Sequence, residues 1–329
     1  MTRSMFVSVA LFVFLATALG AAGDADPDRD GPAAAGAPAR RPNVMLIIAD
    51  DMTWRDCEPY GNREVRTPHL ARLAAQGMKF NRCFTATAMC APTRQQLYTG
   101  VFPVRNGAYP NHSRVRDGTK GVVHHLRALG YRVGLVGKRH FGPAASFPFE
   151  FLASGKKAAG NLPAIETFVN RDSSQPYCLI VASNEPHSPW NQGPRDYDPA
   201  KLTVPPYLED TAETRQGMAK YYSEITFLDG LVGQCMKIVD ESEGRDETIL
   251  LFTSEQGSSF PFGGKWTCYD TGLKTALIVR WPGRVEPGSE TDAMVQYVDI
   301  LPTLIEAARG RPAEIDTGLP GAADGGRGL

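Results

Sequence analysis

The sequence predicts an α/β fold with a largely parallel central sheet flanked by helices. Short, uniformly apolar runs alternate along the chain with stretches of helical periodicity, which is typical of this class. Polar residues follow four of the apolar runs directly, as expected where open parallel sheets place their sites. The 329 residues, 42% hydrophobic and 22% charged, suffice for one large globular domain or two smaller ones.

Five short segments are predicted to be strands because they are apolar and rich in β-branched residues, as strands covered on both faces are. These are residues 44–49, 131–136, 178–182, 248–253 and 276–279.

Four amphipathic stretches are predicted to be helices. The first, residues 67–77, has Pro68 in its first turn, where proline is tolerated, and ends at a glycine. The others are residues 122–129, 218–239 and 295–308.

The two ends of the chain differ from its middle. Residues 1–22 resemble a signal peptide, with Arg3 before an apolar run and small residues for cleavage, although an uncleaved membrane anchor is the alternative. Residues 23–41 are rich in Ala, Pro and Gly and predict a flexible linker, whereas residues 311–329 predict an unstructured tail. We therefore expect export to a periplasmic, extracellular or lysosome-like compartment, without stable membrane insertion.

Charge and cysteine content argue against other classes of protein. The formal net charge is −1 and no run of Lys or Arg occurs, so nucleic acid is not an expected partner. Six cysteines are few for a disulfide scaffold of this size, and no Cys/His cluster suggests zinc. Cys178 lies inside an apolar run and is predicted to be a buried thiol.

Charged or imidazole side chains follow four predicted strands. Because the carboxyl ends of parallel strands lie at one edge of a sheet, these groups are expected to converge there. They are Asp50 and Asp51, Lys138 and His140, His187, and Glu255 with Gln256. The adjacent carboxylates of Asp50 and Asp51 suggest a hard divalent cation with oxygen ligands, the alternative being a helix N-cap pair.

A short motif connects these features to a family. Residues 90–94 have the form C-x-P-x-R, and residues 97–100 follow as L-x-T-G. This resembles the signature of type I sulfatases, of the alkaline-phosphatase-like superfamily, and the resemblance extends over residues 42–310. It implies a catalytic α/β domain there, and oxidation of Cys90 to formylglycine by a modifying enzyme. A sulfated carbohydrate is the implied substrate.

The resemblance also implies a metal site. Asp50, Asp51 and the modified Cys90 would bind Ca²⁺, or alternatively Mg²⁺, together with two ligands from a later strand. Relatives use Asp-Asn or Asp-His there, whereas this chain has Glu255 and Gln256, each one methylene longer. Both still offer oxygen ligands. The alternative is a turn with solvated polar side chains.

Further residues receive roles from the same resemblance. Lys138 would contact formylglycine and sulfate, His140 would help to remove a proton from the formylglycine diol, and His187 would contact sulfate or protonate the leaving group. Independently of the resemblance, the positive charges of Arg94, Lys138 and Lys265 make them candidates to stabilise sulfate in a water-poor pocket. Lys265 has a spacing similar to that in heparan N-sulfatases (sulfamidases), the alternative being a solvated loop lysine. Its neighbours Trp266 and Tyr269 would stack on a sugar or pack the loop.

The implied reaction is covalent catalysis. One hydroxyl of the hydrated aldehyde attacks sulfur, and the alcohol leaves with a proton from His187 or Lys265. The second hydroxyl, deprotonated with help from His140, then expels sulfate.

Two other functions fit the sequence. A phosphonate or phosphate ester hydrolase of the same fold can share the motif. An inactive, truncated glycan-binding fragment is the other, because members of the family continue beyond residue 310 into a small C-terminal subdomain, and because Glu255 and Gln256 depart from the family pattern.

Overall fold

A mixed eight-stranded sheet forms the centre of the computed structural model, which describes residues 40–153, 158–260, 264–312 and 315. The predicted signal peptide, most of the predicted linker and nearly all of the predicted tail lie outside these residues. The strands are β1 (Asn43–Ala49), β2 (Met78–Phe84), β3 (Arg132–Gly137), β4 (Glu150–Ala153), β5 (Tyr177–Ala182), β6 (Thr248–Ser254), β7 (Lys274–Arg280) and β8 (Ser289–Gln296).

The strand order is β4-β3-β5-β1-β6-β7-β2-β8. Strand β7 runs antiparallel to both of its neighbours, and every other pair is parallel. The predicted largely parallel α/β sheet is therefore confirmed, and each of the five predicted strands is present.

Helices cover both faces of the sheet. They are α1 (Pro68–Ala75), α2 (Cys90–Thr99), α3 (Pro103–Asn106), α4 (Val122–Ala128), α5 (Leu162–Asn170), α6 (Ala212–Asp240), α7 (Asp270–Leu273) and α8 (Tyr297–Ala307). Short 3₁₀ turns occur at Glu58–Tyr60, Ala144–Ser146, Ala158–Gly160, Pro199–Lys201 and Arg245–Glu247. Within the described residues, no helix is both long enough and apolar enough to cross a bilayer.

The core has two layers because side chains alternate between the faces of a strand. In β1, Val44, Leu46 and Ile48 pack against α2, α4 and α8 on one face. Met45 and Ile47 pack against α1, α5 and α6 on the other. All seven residues of β6 are likewise buried. The central strands are thus covered on both sides.

The cysteines agree with the sequence prediction. All six lie in the described part of the chain, and none forms a disulfide. Cys178 is 1% exposed, which confirms the predicted buried thiol.

Candidate active site

Four adjacent strands, β3, β5, β1 and β6, end on one rim, as the sequence predicts. Backbone hydrogen bonds continue the ladder one step past the strands and fix the residues that follow. Asp50 N–H donates to Glu185 O at 3.0 Å, and Glu255 N–H donates to Ala49 O at 3.0 Å. Lys138 N–H bonds to Ala182 O at 2.8 Å. The side chains that follow the strands therefore start from a rigid frame.

The two aspartates after β1 are almost completely buried, at 1% and 0% exposure. Neither precedes a helix, so the N-cap alternative for Asp50 and Asp51 is wrong. Asp51 has a φ of 60°, a left-handed conformation that is uncommon for a residue other than glycine. Such conformations concentrate at functional sites, where the surrounding structure enforces them.

Helix α2 begins at Cys90, and all ten of its residues are buried. The thiol Sγ lies 3.9 Å from Asp50 Oδ1 and 3.8 Å from Asp51 Oδ1. Burial, followed by the carboxylates of Glu255 and Asp50, raises the pKa of the Cys90 thiol. The unmodified thiol is thus neutral and a poor nucleophile.

Arg94 lies one helical turn after Cys90 and is completely buried. Its guanidinium Nε lies 2.5 Å from Glu255 Oε2 as an ion pair, although the two groups are not aligned as a hydrogen bond. Lys138 Nζ contacts the carboxylate of Asp50 and lies 3.5 Å from Glu255 Oε1. Arg94 and Lys138 thus both form ion pairs with the carboxylate of Glu255.

This arrangement separates the pKa values of two neighbouring carboxyl groups. Burial and the charge of Glu255 raise the pKa of Asp50, and Lys138 opposes them only partly. Burial also acts to raise the pKa of Glu255, but Arg94 and Lys138 outweigh it and hold that pKa well below its usual range. Glu255 is therefore the carboxylate that stays ionised.

The structure decides against the solvated turn at the end of β6. Glu255 and Gln256 are 1% and 0% exposed. Gln256 Nε2 donates to Asp51 Oδ1 and lies 3.6 Å from Cys90 Sγ. Gln256 Oε1 is buried without a hydrogen-bond partner. Glu255, predicted to be a metal ligand, directs its carboxylate to Arg94 and Lys138.

Lys265 is also buried, so the solvated-loop alternative for this residue is wrong. Its Nζ donates to Asp51 Oδ2 at 2.7 Å. His187 approaches the same oxygen with Nε2 at 3.5 Å and is 36% exposed. Trp266 and Tyr269 are 65% and 66% exposed, so neither is packed inside the loop.

His140 pairs with a histidine that the sequence analysis did not single out. His140 Nε2 lies 2.9 Å from His112 Nδ1, and both residues have positive φ values, 50° and 61°. His140 Nδ1 is buried without a partner. Burial, and next the charge of Lys138, lowers the pKa of His140 to about 4. No local sequence pattern marks His112, because the contact joins residues 28 positions apart.

The site can accommodate a hard cation. Ligand atoms of Asp50, Asp51, Cys90 and His187 all lie within 4.8 Å of one another. Two buried carboxylates supply negative charge and oxygen ligands. Turning the Gln256 amide over would place its unpartnered oxygen beside Asp51, where a cation could use it.

Sequence comparisons relate the chain to proteins of known function. The sulfatase family model matches residues 42–310. An ulvan-active sulfatase of Formosa agariphila is 32% identical over 290 residues, covering 84% of this chain and 56% of the relative. Human N-sulphoglucosamine sulphohydrolase is 27% identical over 307 residues, covering 82% and 61%. The chain therefore spans little more than half the length of these relatives.

Solved structures share the fold. The crystal structure of Ps i-CgsB has a TM-score of 0.70 at 22% identity, covering 83% of this chain and 73% of that one. A phosphonate monoester hydrolase from Silicibacter pomeroyi has a TM-score of 0.66 at 21% identity, covering 82% and 75%.

Proposed function

The chain belongs to the sulfatase family, and on that premise we propose that it hydrolyses sulfate groups on a carbohydrate and releases inorganic sulfate. The contact of Cys90 Sγ with the buried carboxylates of Asp50 and Asp51 carries the proposal. The names of the ulvan-active and N-sulphoglucosamine relatives support a sulfated carbohydrate as the substrate, with an O–S or N–S bond cleaved.

We assign the metal site to Asp50, Asp51, Gln256 and residue 90, with Ca²⁺ or Mg²⁺ as the ion. When bound, such an ion would neutralise repulsion between the nucleophile and a sulfate oxygen. Glu255 is assigned to holding Arg94 and Lys138, because its oxygens face these two cations. The nucleophile itself would be formylglycine, formed from Cys90 by a modifying enzyme.

The remaining side chains would stabilise negative charge and transfer protons. Arg94, Lys138 and Lys265 are buried or nearly so, and their positive charges act in a water-poor site where electrostatic stabilisation is strong. His140 is neutral near pH 7, and we assign its unpartnered Nδ1 to proton exchange with the nucleophile. His187 is the more exposed partner of Asp51, so we assign it to the leaving group.

The test is peptide mass spectrometry across Cys90, on protein made in its own host, combined with assays of sulfate release. We expect the mass of formylglycine at position 90 and release of sulfate from sulfated oligosaccharides. Cys90→Ala should lower that release by at least about 10³-fold, because removal of a catalytic nucleophile abolishes covalent catalysis. An unmodified cysteine in a host that has the modifying enzyme would contradict the proposal.

The same protein preparation distinguishes the proposed function from two alternatives. The fold shared with a phosphonate monoester hydrolase makes phosphonate esters the second candidate substrates. Faster turnover of an aryl phosphonate than of the matching aryl sulfate would favour that function. Glycan retention without release of sulfate or phosphonate would favour the inactive glycan-binding fragment.

A further inference from the structure

An open cavity of about 420 Å³ lies beside the loop that follows β5. Its volume is within the range of roughly 300–1,000 Å³ that is usual for small-molecule sites. Its wall includes Trp190, Tyr197, the amides of Asn191 and Gln192, and the cations Arg195 and Lys220. Among the described residues, neither cation has an ion-pair partner.

The wall of this cavity is held firmly. Glu224 is completely buried, and its Oε1 accepts the backbone N–H groups of Asn191 and Gln192, the latter at 2.6 Å. Gly193 has a φ of 79°, and a Cβ there would lie 2.0 Å from Ser223 O. The loop therefore lies tightly against α6, and the cavity is preformed rather than dependent on ordering by a ligand.

The cavity shares Trp190 with the loop that carries His187. This residue comes three positions after His187, and its Nε1 donates to Pro186 O at 2.9 Å. Its ring also packs on Tyr221 at 5.6 Å between centroids. The Tyr221 hydroxyl in turn accepts Thr53 N–H, two residues after Asp51. Trp190 thus joins the cavity wall to the loop after β5, and through Tyr221 to the loop after β1.

We propose that this cavity is a subsite for a second, anionic sugar unit of the glycan. Arg195 and Lys220 would bind its sulfate or carboxylate group. The neighbouring amides would bind hydroxyl groups, and the aromatic wall would contact the ring. This assignment rests on the proposed sulfatase function, since it places the second unit beside the one that is cleaved. Unpaired cations suit an anionic ligand because binding does not require breaking an existing ion pair.

The test compares the wild-type protein with the double variant Arg195→Ala/Lys220→Ala. Binding is measured with a fluorescent heparin tetrasaccharide, which carries sulfate and carboxylate, and with a heparosan tetrasaccharide, which carries carboxylate alone. We expect the double variant to bind the heparin probe roughly tenfold more weakly, as the loss of two solvent-exposed ionic contacts implies. Equal weakening for both probes would assign the cations to carboxylate, and a loss confined to heparin would assign them to sulfate.

Two further measurements keep this result separate from the proposed function. Lys237→Ala removes an exposed cation from the same helix as Lys220 and should leave tetrasaccharide binding unchanged. Hydrolysis of 4-methylumbelliferyl sulfate, which has no second sugar, should be equal in wild type and double variant. Equal heparin affinity of the two proteins, or no binding by either, would overturn the subsite. Tetrasaccharide binding by fully modified wild-type protein, without release of sulfate from sulfated oligosaccharides, would overturn the proposed function alone.

Discussion

The histidine pair His112–His140 links the interior of the site to its surface. His140 has a buried nitrogen, Nδ1, and its partner His112 is exposed. His140 Nδ1 is buried, its Nε2 contacts His112 Nδ1, and His112 Nε2 lies 3.4 Å from Asn111 Nδ2. Asn111 Oδ1 accepts Ala91 N–H at 3.4 Å, so one hydrogen-bonded chain runs back to the first turn of α2. The orientation of His140 therefore depends on its contact with His112.

We expect His112→Ala to lower kcat for sulfate release roughly 10- to 100-fold, the usual effect of removing an outer partner of a functional histidine. KM should change little, because His112 is not placed against the substrate. The pKa of His140, followed by NMR, should rise, since the charge of His112 contributes to lowering it. His112→Gln, which keeps a hydrogen-bonding group, should recover part of the rate. Unchanged kcat in His112→Ala would show that the pair is only structural.

Asp56 makes a different contribution, to stability rather than to the site. Burial raises its pKa to about 6 from 3.8, although the Tyr221 hydroxyl donates to its Oδ2 at 2.9 Å. Between these two pKa values the native state binds more protons than the unfolded state. Its stability therefore falls as the pH rises from about 4 to 6, and the unfavourable burial of charge is fully present above pH 6.

Asp56→Asn is accordingly expected to raise the free energy of unfolding at pH 7.5, by at most about 3 kcal/mol, because the amide keeps an acceptor for Tyr221 without the charge. At pH 4 the two proteins should be nearly equal. Urea denaturation at both pH values measures the difference. A variant less stable than wild type at pH 7.5 would show that the ionised carboxylate is favourable in this place.

Much of the site at this scale follows from sequence. Asp50, Asp51, Lys138, His187 and Glu255 come directly after strands or shortly beyond them, and parallel strand ends converge, so their proximity was predictable. The partner of each side chain was not predictable from the sequence. Whether a carboxylate faces a lysine, an arginine or a thiol depends on side-chain packing between distant segments, which local patterns do not encode.

At the scale of elements, the close approach of α1 and α6 depends on one glycine. A Cβ added to Gly233 would lie 2.6 Å from the ring of His69, which is closer than real contacts allow. Gly230, one turn earlier on α6, has nothing within 4 Å of such a Cβ. The two positions have the same secondary structure and differ in their neighbours, so they form a matched pair.

Gly230→Ala should stabilise the protein by about 0.5–1 kcal/mol, because alanine has the higher helix propensity. Gly233→Ala should destabilise it by about 1–3 kcal/mol, because overpacking exceeds that gain. Thermal unfolding of both variants shows whether each substitution stabilises or destabilises the protein. Adding His69→Ala to Gly233→Ala should recover stability, and stabilisation by Gly233→Ala alone would show that the helices separate without penalty.

The sequence analysis missed several elements, and the physical reasons differ between strands and helices. Strand β8 is largely exposed and β4 has four residues at the sheet edge, so neither needs an apolar run. Strand β2 lies between β7 and β8 and is only partly buried. Helix α2 is buried all round and has no amphipathic face to detect. Helix α5 was missed as well.

At the scale of the whole molecule, the buried charges of the site couple it to folding. Three carboxylates (Asp50, Asp51 and Glu255) and three cations (Arg94, Lys138 and Lys265) lie at the end of an otherwise apolar two-layer core. Ion pairs in such a place offset their desolvation only when they are well satisfied. The raised pKa of Asp50 and the unpartnered oxygen of Gln256 show that this satisfaction is incomplete.

A divalent cation bound between Asp50 and Asp51 should therefore stabilise the folded protein as well as support activity. A ligand that binds only the native state adds about 2.7 kcal/mol at a concentration 100 times its Kd. At about 2–4 °C per kcal/mol, Tm should rise by roughly 5–10 °C in saturating CaCl₂ and fall again when EDTA is added. Asp51→Asn should abolish the rise, whereas Asp198→Asn, which changes an exposed carboxylate, should retain it. A Tm that does not respond to CaCl₂ or MgCl₂ at constant ionic strength would mean that Lys138 and Lys265, which already contact these carboxylates, take the place of a metal ion in this chain.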